Sequence, residues 1–387
     1  MRDRFRFALN PYRQDPVPAA RVPPPVGDAL AFHRSLPGYQ PTPLLALPAL
    51  AAELDLAALW IKDEGPRFGL GAFKALGASW AIHRWMSERG GGAPATFATA
   101  TDGNHGRAVA WTARALGQRA VVFVPRNTAP ARIGAIQGEG AEVVVVDGNY
   151  DDAVRRTATE SAARGWQVIS DTAYPGYTEI PRFIMAGYET IFAEAGEQLE
   201  AAAGGGPTAV LLQAGVGGLA CAGVSFYSRR SGVPRPRIAA VEPMDADCLL
   251  ESIASPGGRI REGRGGQSSI MAGLNCGTPS LAAWPALRAG IDLFLAVDDG
   301  FAEEAMRRLA AGSSGDPHVV AGESGAAGLA GLLALCREPG LGAARQALGL
   351  GPTSRVLIVN TEGATDPAGY RQIVGVEPER VGVKATC

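Results

Sequence analysis

The sequence predicts a doubly wound α/β protein in which a smaller unit is inserted into a larger one. Three observations carry this expectation. Short apolar runs alternate with amphipathic stretches along most of the chain. The runs are rich in Val, Ile and Ala without strict polar alternation, which is the pattern of parallel strands covered on both faces. Several of them end in glycine-containing turns that open a helical stretch, the rhythm of a βαβ protein.

In chain order, the first 40 or so residues are rich in Pro and Arg, as in Arg21-Val22-Pro23-Pro24-Pro25. They read as an extended arm that wraps a domain or a partner subunit. A turn-rich lead-in follows at Tyr39-Gln40-Pro41-Thr42-Pro43-Leu44. Strands are expected at 59–62, 96–101, 120–124, 142–146, 167–170, 209–213, 238–241 and 356–360. Helices between them include 107–116, stopped by Gly117, and 150–164, stopped by Gly165. Glycine commonly sits just past a helix end. Residues 93–188 hold about four of the strands and are assigned to a small domain. Residues 1–92 and 189–387 are assigned to a large domain that carries the arm. The stretches Gly90-Gly91-Gly92 and Gly204-Gly205-Gly206 read as surface loops that loosely bracket the insertion.

Bulk properties narrow the function classes. A chain of 387 residues is too long for one small core. A net charge of −2 gives no reason to expect nucleic acid or an anionic membrane as partner. No apolar run reaches membrane-spanning length, and Met-Arg-Asp-Arg-Phe-Arg-Phe has no secretory h-region, so a cytoplasmic protein is expected. The five cysteines form no CxxC pair, and the four histidines show no HxxxH or HExxH spacing. No metal is expected.

Lysine is scarce: Lys62, Lys74 and Lys384 are the only three, against 36 Lys and Arg together. Arginine keeps its proton, whereas a desolvated lysine can lose it and act as nucleophile or base. Lys74 stands in Arg67-Phe68-Gly69-Leu70-Gly71-Ala72-Phe73-Lys74, at the start of an apolar helix face formed by Phe73, Leu76, Gly77, Trp80 and Ala81. Such an amine suits a Schiff base to a carbonyl cofactor; the alternative is a lysine snorkelling at a helix edge. Thr101-Asp102-Gly103-Asn104-His105-Gly106 closes a strand and opens a helix. Its amides can hold a carboxylate, or it is a plain turn with Asp102 as N-cap. Gln213-Ala214-Gly215-Val216-Gly217-Gly218-Leu219-Ala220 is again strand, glycine loop and helix, and suits a phosphate. It also contains G-x-G-x-x-A, with Glu242 placed where a ribose-binding acid would fall, so an NAD-dependent dehydrogenase competes. Asp171, in Ser170-Asp171-Thr172-Ala173, is a base or cation-binding group, or a turn acid. Thr361, at the end of a buried strand, could meet a ring nitrogen or sit in a solvated loop.

These motifs, in this order, resemble the fold-type II pyridoxal-phosphate enzymes, the group of threonine and serine dehydratases and tryptophan synthase β. The likeness runs from about Tyr39 to Gly363. Lys62-Asp63-Glu64, Met271-Ala272-Gly273-Leu274, Gly322-Glu323-Ser324-Gly325 and Asn360-Thr361-Glu362-Gly363 also carry it. The resemblance implies two open, doubly wound, mostly parallel sheets with the active site between a large and a small domain, and a homodimer. It implies pyridoxal 5'-phosphate bound covalently through Lys74. Its phosphate would lie on the amides of Gly215, Val216, Gly217, Gly218 and Leu219. Asn104 would hold the 3-hydroxyl oxygen and Thr361 would face the pyridine nitrogen. Thr101, Asp102, Gly103 and His105 would form the loop for the substrate carboxylate.

The dehydratases usually have Ser where this chain has Asp102. That departure resembles the ammonia-lyases that act on 2,3-diaminopropionate and release pyruvate and ammonia. Serine or threonine dehydration is the alternative within the fold. Asp102 and Asp171 would attract the β-ammonium group, with Lys74, Asp102 and Asp171 as the catalytic set. In these relatives the counterpart of Asp102 is associated with the D-isomer and the lysine with the L-isomer. Some relatives carry a disulfide near the site, whose approximate positions Cys248 and Cys276 match.

Overall fold

The computed structural model describes residues 4–91, 93–101, 103–202, 204–312 and 315–382. Among these, eleven strands form two sheets. They are β1 (Phe5–Leu9), β2 (Leu44–Ala46), β3 (Ala58–Asp63), β4 (Thr96–Ala100), β5 (Arg119–Pro125), β6 (Glu142–Val146), β7 (Gln167–Val168), β8 (Ala209–Gln213), β9 (Arg237–Pro243), β10 (Leu293–Val297) and β11 (Arg355–Asn360). The larger sheet has the order β1-β10-β9-β8-β11-β3-β2, and the smaller β6-β5-β4-β7. The smaller sheet is wholly parallel. In the larger one only the edge strands β1 and β2 run antiparallel to their neighbours.

The apolar runs lack polar alternation because both faces of the larger sheet are covered. In β8, Val210 and Leu212 face one core layer, while Ala209 and Leu211 face the other. The first layer holds the helices Lys74–Glu88, Glu179–Ala201 and Gly218–Arg229; the second holds Asp299–Ala311 and Ala327–Arg337. Every strand expected from the sequence is present, two of them with unchanged bounds (β6 and β8). The N-terminal arm starts as β1, paired from Phe5↔Val297 to Leu9↔Leu293, and Arg6 is ion-paired to Asp247 and Glu251.

Two helices carry the chain between the sheets. Lys74–Glu88 leads from β3 to β4, and Glu179–Ala201 returns from β7 to β8. Gly90 and Gly91 follow the first, and Gly204 to Gly206 follow the second. The expected boundary at 188/189 therefore falls inside a continuous helix rather than at a linker. The two helices cross where each has a glycine. A Cβ on Gly77 would lie 2.5 Å from Tyr188 Cε1, and one on Gly187 would collide with the backbone oxygen of Leu76. Close backbone approach of this kind is a use only glycine serves.

This crossing sets the position of the whole Lys74 helix, so overfilling it should be costly. Gly187→Ala is expected to lower stability by about 1–3 kcal/mol, read as a lower urea midpoint. An unchanged midpoint would show that the helices can slide apart freely.

Candidate active site

The loops that follow β3, β4, β7, β8 and β11 gather at the carboxyl ends of parallel strands, where open α/β sheets bind ligands. Lys74 is the first residue of its helix. The segment before it turns through left-handed conformations at Phe68, Gly69 and Gly71 (φ 52, 71 and 77°). It is clamped from behind by a fully buried charge cluster. Arg67 donates to both Glu64 and Glu194 at 2.8 Å, and Lys62 donates to Glu194 at 2.7 Å. Two cations face two carboxylates, and the desolvation each suffers is offset only while all four remain. Burial would raise the Glu194 carboxyl, but Arg67 and Lys62 bring it down to about 2. Lys62 is thus a buried structural lysine.

Lys74 Nζ lies 2.6 Å from Asp171 Oδ2, and each side chain is about a fifth exposed (22 % and 20 %). The pair joins a helix that leaves the larger sheet to the loop that follows the smaller one. Burial works against the charge on Lys74, but Asp171 more than offsets it and holds the amine above the usual lysine range. Burial likewise opposes the charge on Asp171, and Lys74 holds its carboxyl below the usual range. A carboxylate in contact keeps the free amine charged.

The β4 loop is braced from within. Thr101 Oγ1 accepts from the amides of Gly103 at 3.0 Å and Gly106 at 3.2 Å. His105 is buried, and its Nε2 meets the Ile169 carbonyl at 2.9 Å. A carbonyl only accepts, so Nε2 carries the proton, and burial lowers the imidazole pKa, which favours the neutral ring. The ring ties this loop to the segment that carries Asp171, so its N–H is not free for a substrate carboxylate. Asp102 lies outside the described residues. Asn104 opens the helix Asn104–Ala115 and donates through Nδ2 to Glu362. Its second N–H remains for another acceptor.

The β8 loop leads into the helix Gly218–Arg229, with Gly217 as N-cap at φ 94°. A Cβ on Gly217 would strike Leu287, and one on Gly215 would lie 2.7 Å from Cys276 Sγ. The unpaired amides of Gly218 and Leu219 at this helix start, with the dipole behind them, suit a phosphate. Cys248 is a free, buried thiol whose Sγ lies 3.7 Å from the Gly215 carbonyl, so no disulfide joins it to Cys276. Thr361 is buried beyond β11; its carbonyl accepts from Phe73 N at 3.1 Å and its hydroxyl from Gln213 Nε2 at 3.0 Å. Lys74, Thr361, Asn104 and the glycine loop thus belong to one locality.

The dehydrogenase alternative loses its acid. Both oxygens of Glu242 accept amides of Leu249 (2.7 Å) and Leu250 (2.9 Å), in a fully buried site that pushes its pKa up. That carboxyl caps the helix Cys248–Ala254 and is not available to a ribose.

Sequence reasoning missed three residues here: Glu362, Gln213 and Tyr188. The first two adjoin motifs that were recognised. The ring of Tyr188 lies between Gly77 and Gly218, 3.7 Å from a Cβ on the latter. Its hydroxyl is buried beside Lys74. Nothing in its sequence neighbourhood signals this.

Comparison with known proteins decides the family. Residues 36–362 match the family described as "Pyridoxal-phosphate dependent enzyme". The chain belongs to this family. Diaminopropionate ammonia-lyase of Escherichia coli strain K12 is 41% identical over 361 residues, covering 89% of this chain and 90% of that protein. A crystal structure of the holo enzyme from Escherichia coli has a TM-score of 0.87 at 40% identity, with 96% of each chain covered. Another, in complex with an aminoacrylate-PLP azomethine reaction intermediate, has a TM-score of 0.86 with the same identity and coverage.

The site fits the family's cofactor. A lysine amine, a buried tyrosine hydroxyl beside it and a glycine cradle at a helix start are present together. No helix is long and apolar enough to cross a membrane, and no group of three or more His, Cys, Asp and Glu could hold a metal, both among the described residues.

Lys74→Arg keeps a cation beside Asp171 but cannot attach a carbonyl cofactor. The purified variant is expected to be colourless, with borohydride fixing no cofactor and with an unfolding midpoint near that of the parent. Cofactor fixed to another residue would contradict the assignment.

Proposed function

We propose that this chain eliminates ammonia from 2,3-diaminopropionate and that the aminoacrylate so formed takes up one water to give pyruvate and a second ammonia. The contact between Lys74 and Asp171 carries the reading. Once the amine of Lys74 is committed to the cofactor, Asp171 is left as a partly buried carboxylate without its cation. A substrate with a second ammonium group replaces that cation; a hydroxyl does not.

The leaving group points the same way. A departing hydroxide needs a proton, and Asp171 is held ionised only while a cation faces it. The β-ammonium of diaminopropionate already carries that proton and leaves as neutral ammonia. Bound pyridoxal phosphate supplies an electron sink that makes the Cα proton acidic. The residues around it orient and hold. The amides of Gly215, Val216, Gly217, Gly218 and Leu219 hold the phosphate, and the second N–H of Asn104 faces the 3-hydroxyl oxygen. Thr361 faces the ring nitrogen, and a neutral hydroxyl there suits elimination. The loop formed by Thr101, Asp102, Gly103 and His105 binds the substrate carboxylate; the Thr101 and Gly103 amides are already bonded within the protein, so the His105 amide supplies the contact. Lys74 takes the Cα proton from the L-isomer and Asp102 from the D-isomer. A homodimer working in the cytoplasm belongs to the same proposal, on the strength of the family resemblance.

Pyruvate formation from D- and L-diaminopropionate, with D- and L-serine as controls, tests this. A charge-assisted pairing contributes about 1.5–3 kcal/mol, so diaminopropionate is expected to turn over roughly 10- to 100-fold faster than serine. Faster turnover of serine would sink the reading. Asp102→Asn is expected to depress the D-isomer rate well beyond the L-isomer rate; an equal loss would remove Asp102 from the stereochemical role.

A further inference from the structure

Gln213 ends β8 and immediately precedes the glycine loop, with its side chain buried. Its Nε2 sits among four acceptors: Val359 O at 2.9 Å, Thr361 Oγ1 at 3.0 Å, Ser324 O at 3.1 Å and Gly325 O at 3.2 Å. Its Oε1 points the other way, without a hydrogen-bond partner, 3.5 Å from where a Cβ on Gly328 would lie. Gly328 is in the first turn of the helix Ala327–Arg337, where the dipole favours an oxygen. The amide can therefore face only one way. Turning it over would set its oxygen against three carbonyls.

An amide nitrogen has no lone pair to accept a proton. The Thr361 hydroxyl thus receives from Gln213 and cannot donate to it, so its own proton is directed elsewhere. We infer that Gln213 is a positioning residue that fixes the Thr361 hydroxyl as a donor into the cofactor site. The inference rests on the reading that Thr361 faces the ring nitrogen. Under it, Gln213 makes the ring nitrogen an acceptor and keeps a proton off it, although Gln213 itself touches no reacting atom.

Gln213→Glu reverses the polarity. A carboxyl group among three carbonyls takes a proton to donate to one of them. Its other oxygen then accepts from Thr361 and draws that hydroxyl away from the site. The test compares Gln213→Glu, Thr361→Val and the double variant by the absorption spectrum of bound pyridoxal phosphate, its pH dependence, and the cofactor dissociation constant. Each single variant is expected to shift the spectrum in the same sense and to weaken binding roughly three- to tenfold. The double variant should go no further than Thr361→Val alone.

A spectrum unchanged in Gln213→Glu but shifted in Thr361→Val overturns the inference, as do fully additive effects, which a purely structural role would give. No shift in Thr361→Val would instead remove the ring-nitrogen reading, and the inference with it. Gln213→Met, close in volume and without charge, replaces Gln213→Glu if that variant fails to fold. It should also shift the spectrum, and a parental spectrum there overturns the inference.

Discussion

The two sheets meet at one contact, the 2.6 Å pair between Lys74 and Asp171, on which the proposed specificity depends. Its partners come from different sheets. Lys74 leaves β3 on the helix that crosses toward the smaller sheet, and Asp171 follows β7 at the edge of that sheet. The pair can form only if the two layers hold a fixed relation. Its charges are mutually sustaining: burial opposes each, and each offsets the cost for the other.

Two features supply that fixed relation. The buried cluster of Lys62, Glu64, Arg67 and Glu194 ties the segment before Lys74 to the returning helix Glu179–Ala201. The glycine crossing at Gly77 and Gly187 brings those helices into backbone contact. Tyr188, next to Gly187, then reaches both the Lys74 helix and the start of the helix after the glycine loop. The charge cluster sets register and the crossing sets distance. Together they put the amine, the carboxylate and the phosphate cradle side by side.

Much of this was legible in the sequence, for physical reasons. Strands such as β8 and β11 are covered on both faces, so burial wrote itself as unbroken apolar runs. The edge strands were not legible. β1 carries Arg6 and is half-exposed, and β2 is three residues long. β10 did have a clear apolar run, Leu293-Phe294-Leu295-Ala296-Val297, which the strand expectations omitted. The site loops were readable because a glycine turn between strand and helix is a local signal. The pairing of Lys74 with Asp171, across 97 residues, is not local. Neither is the nest that holds Gln213, whose acceptors come from β11 and the loop before Ala327–Arg337. Lysine scarcity was a half-true guide: Lys62 is as rare as Lys74 and more deeply buried, but it neutralises Glu194 and holds the frame. What separates the two lysines is their neighbours, not their frequency.

The account stands on Asp171 changing partner from Lys74 to the second ammonium group of the substrate. The most direct measurement is the ratio of kcat/KM for diaminopropionate to that for serine in Asp171→Asn, relative to the parent. Any change in how Lys74 is placed affects both substrates alike and cancels in the ratio. The charge-assisted pairing contributes about 1.5–3 kcal/mol. The ratio is therefore predicted to fall roughly 10- to 100-fold, with serine turnover changed far less. An equal fall for both substrates would contradict the account and reduce Asp171 to a group that merely positions Lys74.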